Sequence, residues 1–179
     1  MNQALPENPR EIADLAIEYE KEGRRLLLSA RDDACDPLTK ATFHFLADQE
    51  SQHIHAIDSY LDALIHKGAF DPSEYEPLTL QGAGREVTKL FEDFRQKYEE
   101  TACTEEERLK VYQAAMEMER RGYELYSSAA SKVNDETSRQ FYEFLASEED
   151  RHFQILQDTY TFLKQPDAVM AIEERWMQI

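Results

Sequence analysis

Two stretches of this chain carry one pattern 99 residues apart, and that repeat restricts the fold more than any other feature. LADQESQHIHAI runs from Leu46 to Ile57 and LASEEDRHFQIL from Leu145 to Leu156, so Glu50 and His53 are matched by Glu149 and His152. The same offset links Asp36 with Asp135 and Phe45 with Phe144. In an earlier pair of segments it links Glu20 with Glu119, Gly23 with Gly122, Leu26 with Leu125 and Ala30 with Ala129, without a gap. Each half reads as two helices, the first carrying a Glu and the second an ExxH.

Three residues turn an α-helix through about 300°, so the Glu and His of each ExxH leave the same face about one turn apart. That face also carries Tyr142, Leu145, Leu156 and Leu163 in the second half, at steps suited to a core-facing stripe. A carboxylate and an imidazole within such a stripe are costly to bury without compensation, and a metal ion would compensate them.

The composition agrees with an all-α chain. Of 179 residues only five are Gly and six Pro, and no alternating β-branched run appears. The length suits a single domain over 1–179. A formal charge of −17 leaves no basic patch for phosphates, which argues against nucleic-acid binding. No run of about 20 apolar residues and no basic–apolar leader is present, so no membrane role and a cytoplasmic location are expected. Cys35 and Cys103 are isolated, with no CxxC, and read as inert thiols rather than as a disulfide framework.

In chain order, the first ten residues read as a tail. A first helix is expected over about 11–31, with Ala13, Ala16, Glu20, Gly23, Leu27 and Ala30 inward. Asp36 caps a second helix over 37–67, with Pro37 in its first turn and Phe43, Leu46, Glu50, His53, Ile57, Tyr60 and Leu64 inward. His44, His55 and His66 fall off that stripe, as do Glu18, Glu22, Glu117 and Glu124 off theirs. A crossover over 68–103 includes an amphipathic stretch at 86–100, and its length allows the second and third helices to run parallel. Thr104 and Glu107 form a capping box for a third helix to about 132. Asp135 caps a fourth over 136–164, broken by Pro166, and a short C-terminal helix follows over 167–179.

The sum is one Glu on each of the first and third helices and one ExxH on each of the second and fourth. This is the ligand set of bundle-core dimetal carboxylate sites. Two divalent ions facing four carboxylates form a neutral cluster, and oxygen-rich ligation with two imidazoles suits iron or manganese; zinc can bind but brings no redox chemistry. On these motifs the chain resembles the ferritin-like superfamily, closest to its rubrerythrin-type and bacterioferritin-type members, over about 11–67 and 104–164. The resemblance implies a ferritin-like four-helix bundle and two Fe ions (Mn or Zn possible). Glu20 and Glu119 would be terminal carboxylates, Glu50 and Glu149 bridging ones, and His53 and His152 would hold one iron each. It also implies reaction with hydrogen peroxide or dioxygen, an unknown electron donor, and a homodimer or larger homo-oligomer. Two family features differ here: the paired CxxC motifs of the rubredoxin-type domain are not in this chain, and the additional Glu one turn after the helix-3 ligand is Gly122.

Further expectations concern the surroundings of these six residues. Glu148 is expected to accept a hydrogen bond from His53, and Gln49 one from His152, each across the bundle. Gly23 and Gly122, each three residues after a ligand Glu, are expected to leave an oxidant pocket, with Tyr126 beside it. Tyr19, Tyr126 and Phe141 otherwise read as core aromatics. Beside a peroxide- or dioxygen-reducing protein, the chain could be an iron or manganese binding or storage protein, or a metal-free helical interaction module.

Overall fold

The computed structural model describes residues 5–6, 8–66 and 104–165. They form four long helices: α1 (Pro9–Asp33), α2 (Pro37–His66), α3 (Glu105–Lys132) and α4 (Glu136–Lys164). The crossover at 68–103, the stretch at 86–100 and the C-terminal helix at 167–179 lie outside the described residues.

Local chemistry sets the helix starts. α1 begins two residues earlier than expected, because the Asn8 side chain accepts from the backbone N–H of Arg10 at 3.0 Å and Pro9 occupies the first turn. Asp36 opens α2 by accepting from the Thr39 backbone N–H at 2.8 Å and from its hydroxyl at 2.6 Å. Asp135, its counterpart in the repeat, opens α4 by accepting from the Ser138 N–H at 2.8 Å.

α1 packs chiefly against α2, and α3 against α4, and the two hairpins face each other to close the bundle. Each helix is 25 to 30 residues long, or roughly 40 Å at 1.5 Å per residue. The apolar interior is split in two. One cluster holds Leu27, Phe43, Leu46, Tyr112, Ile155 and Leu156. The other holds Ile12, Ile57, Tyr60, Tyr126, Phe141, Tyr142 and Leu145. The repeat explains the division: Leu46 lies in one cluster and its counterpart Leu145 in the other. Between them in sequence along every helix come the carboxylates and imidazoles.

One cysteine departs from expectation. Cys35, in the turn between α1 and α2, is disulfide-bonded rather than an inert thiol. The chain's one other cysteine, Cys103, lies outside the described residues. Isolated spacing in sequence says nothing about distance in the folded chain.

Candidate metal centre

Helical register brings the six expected residues to one level of the bundle. α1 supplies Glu20, α2 Glu50 and His53, α3 Glu119, and α4 Glu149 and His152, none more than 1% exposed. Ligand-capable atoms of Glu50, His53, Glu149 and His152 all lie within 4.8 Å of one another. The two imidazoles stack at 5.1 Å between centroids, tilted by 13°.

Both rings turn Nδ1 toward the carboxylates. His53 Nδ1 is 3.3 Å from Glu50 Oε2, 3.4 Å from Glu20 Oε2 and 3.5 Å from Glu149 Oε1. His152 Nδ1 is 3.2 Å from Glu50 Oε1 and 3.5 Å from Glu119 Oε2. Glu50 therefore addresses one histidine with each oxygen. Glu20 stands on the His53 side, and Glu119 on the His152 side.

The electrostatics are those of a charge cluster short of cations. Burial, with the neighbouring Glu50 and Glu149, pushes the Glu20 carboxyl well above the usual range. Burial and Glu50 do the same to Glu119 and to Glu149. Glu50 goes the other way: burial would raise it, but its close contacts with Glu20, His152 and His53 hold it well below the ordinary value. Burial opposes the charged form of His53, yet the surrounding Glu20, Glu149 and Glu50 carry it well above the usual histidine range. Several buried atoms have no hydrogen-bond partner, among them Glu50 Oε1, both oxygens of Glu119, Glu149 Oε1 and Nδ1 of His152. Such atoms are costly to bury alone, and hard divalent cations are what this donor set satisfies. The residues fit a pair of iron ions.

The acids and histidines read as off-stripe stay outside. Glu18 pairs with Lys21, Glu22 with Arg25, and Glu117 with Arg120 and Arg121, all at the surface. His44 and His55 are exposed.

A family model described as rubrerythrin matches residues 11–160. The chain belongs to the rubrerythrin family. Comparison with curated proteins and with solved structures returned no match.

The surroundings of this rubrerythrin-family layer differ from the sequence expectation in three places. First, His53 does not donate to Glu148. The Nε2 atoms of both histidines and Oε1 of Glu148 are buried without a hydrogen-bond partner, so Gln49, also buried, takes no bond from His152 either. Glu148 instead accepts from Arg151 at 2.6 Å, a buried pair one turn apart on α4. A guanidinium within reach is a stronger partner than an imidazole N–H.

Second, the two glycines do not open a pocket. A Cβ on Gly122 would lie 2.4 Å from Oε2 and 2.8 Å from Cδ of Glu149. A Cβ on Gly23 would lie 3.1 Å from the Met118 sulfur. The space left by Gly122 holds a candidate ligand, and the space left by Gly23 holds a thioether.

Third, Tyr126 donates its hydroxyl to Glu20 Oε1, from α3 to α1. Tyr19 donates to the backbone carbonyl of Met118, also linking α1 to α3. Phe141 stacks on Tyr60 at 4.2 Å within the apolar interior. Sequence reading missed Met118 and Arg151 altogether. Arg151 had a signal, since a basic residue one turn after Glu148 is a ready ion-pair partner.

Proposed function

We propose that this chain holds two iron ions between Glu20, Glu50, His53, Glu119, Glu149 and His152, and that it reduces hydrogen peroxide or dioxygen there. The observation that carries the reading is Glu50, whose two oxygens face Nδ1 of His53 at 3.3 Å and Nδ1 of His152 at 3.2 Å. A carboxylate so placed would serve a cation on each side, with one imidazole for each. Glu149, with Oε1 3.5 Å from His53 Nδ1, would be the second carboxylate to serve the pair. Glu20 and Glu119 would each serve one cation.

Iron, when bound, supplies the electrons that convert peroxide to water. The protein's residues supply charge, dryness and protons. Four carboxylates offset two divalent cations, which makes the cluster neutral enough for a bundle interior. The apolar clusters above and below exclude bulk water, which strengthens every electrostatic contact between them. Glu20, Glu119 and Glu149 hold protons readily in the metal-free chain and release them as cations enter. Manganese or zinc would fit the same donors, zinc without redox chemistry.

No described helix is long and apolar enough to cross a membrane. Our reading keeps the cytoplasmic location, the homodimer or larger homo-oligomer and the separate electron donor expected for such a chain. The disulfide at Cys35 is the observation that weighs against a strongly reducing compartment.

The test is anaerobic addition of ferrous iron followed by peroxide or air. The expected result is a rise in near-ultraviolet absorbance that saturates at two irons per chain. No bound iron and no absorbance change would turn the reading toward a helical interaction module. Binding well beyond two irons, in a particle of cage size, would turn it toward storage.

A further inference from the structure

The two halves of the repeat match at all six candidate ligands, but they do not match at the residue seven places after each terminal Glu. After Glu119 that residue is Tyr126; after Glu20 it is Leu27. Both are fully buried, so the difference lies inside the core and not at the surface. Tyr126 reaches across to α1 and donates its hydroxyl to Glu20 Oε1. Leu27 has no hydrogen-bonding group, and both oxygens of Glu119 are buried without a hydrogen bond. The two terminal carboxylates, equivalent by the repeat, are thus unequal in chemistry.

The geometry points to Tyr126 as a positioning residue that makes the two metal positions unequal, the one served by Glu20 and His53 being the weaker. This inference rests on the di-iron reading above. Glu20 has one oxygen engaged by the phenol, and only Oε2 is turned toward His53, at 3.4 Å from Nδ1. A hydrogen bond to a carboxylate also draws off part of the charge that would bind a cation. Glu119 keeps both oxygens for the cation beside His152, with Oε2 3.5 Å from Nδ1 of that ring. The ligand types on the two sides are otherwise the same, and Glu149 Oε1 lies 3.5 Å from the His53 ring. A position with one carboxylate oxygen withheld holds its cation less tightly and leaves more room for another donor.

The consequence is unusual in direction: removing a hydrogen bond to a ligand should tighten metal binding. The test is anaerobic titration with cobalt(II), followed by calorimetry and by the visible cobalt bands, on the parent chain and on Tyr126→Phe. The parent should take up two cobalt ions in two steps about tenfold or more apart in affinity. In Tyr126→Phe the weaker step should strengthen at least threefold while the stronger one stays put, so that the steps converge. A weaker step that is unchanged, or that loses affinity, overturns the assignment, since a merely structural tyrosine would leave binding alone or loosen it. Fewer than two cobalt ions bound by the parent overturns the dimetal reading and the inference together. A second measurement needs no variant. Mössbauer spectra of the parent loaded with two ferrous irons should show two quadrupole doublets of equal area, and one doublet for both irons would overturn the inference while leaving the dimetal site intact.

Discussion

Gly122 has no side chain where Glu149 needs room: the Glu149 carboxylate lies where a Cβ on residue 122 would stand, at 2.4 Å from Oε2. A glycine within a helix costs about 1 kcal/mol relative to alanine, and here the cost is offset by seating a candidate ligand. Gly122→Ala should therefore leave the helix content unchanged or higher but push Glu149 out of the layer. The expected outcome is loss of one of two metal ions, or at least tenfold weaker binding of one, about 1.4 kcal/mol. Metal analysis after gel filtration, beside circular dichroism, checks both halves of that statement.

The buried pair of Glu148 and Arg151 gives a second prediction. Arg151→Met would leave the Glu148 carboxylate in the interior without its guanidinium, and breaking such a pair costs about 3–5 kcal/mol. Glu148→Gln combined with Arg151→Met should recover a good part of that loss, because the uncompensated charge goes too. Urea denaturation of the metal-free variants measures the difference.

Stability of the metal-free chain should fall as pH rises from about 5 to 8. Glu20, Glu119 and Glu149 have folded-state pKa values above the ordinary 4.5, so the unfolded chain releases those protons first and gains on the fold as pH climbs. His53 is raised above 6.5, so its contribution is full below that value and is also lost as pH rises through its folded pKa. Glu50, held below 4.5, contributes above that pH and is lost only on further acidification. With iron or cobalt bound the trend should reverse, because deprotonated ligands bind better. Thermal melts with and without metal at several pH values test the sign.

The disulfide at Cys35 supplies a fourth expectation. The native chain should give no rapid thiol reaction, and the reduced, denatured chain should give two thiols, one for each cysteine of the sequence. If the crosslink closes the loop from Cys35 to Cys103, reduction should lower stability by roughly 2–4 kcal/mol. A reduced chain that melts with the oxidised one would show that the crosslink contributes nothing to the fold.

The six candidate ligands were legible because helix period and the repeat both act along the chain. Glu20 and Glu50 fall on inward stripes that any α-helix of this sequence would present, and Glu119 and Glu149 repeat them. The caps at Asp36 and Asp135 were legible for the same reason, since a cap bonds only to its own first turn. What could not be read is what crosses between helices. Tyr126 meets Glu20 over a separation of 106 residues, and no spacing rule encodes that contact. The occupants of the glycine spaces belong to this class as well: Met118 reaches Gly23 from another helix, and Glu149 reaches Gly122. Glu148 illustrates a competition, with Arg151 on the same helix winning over an imidazole across the bundle. Cys35 carries no local signal of its bond, since a disulfide partner need not be near in sequence.

Whether the six buried residues hold two iron ions is tested by anomalous diffraction from crystals loaded with ferrous iron. Two iron peaks should lie between the apolar clusters, with Glu50 reaching both, His53 and Glu20 at one, and His152 and Glu119 at the other. A single peak at the protein surface, or none in this layer at full iron saturation, would contradict it.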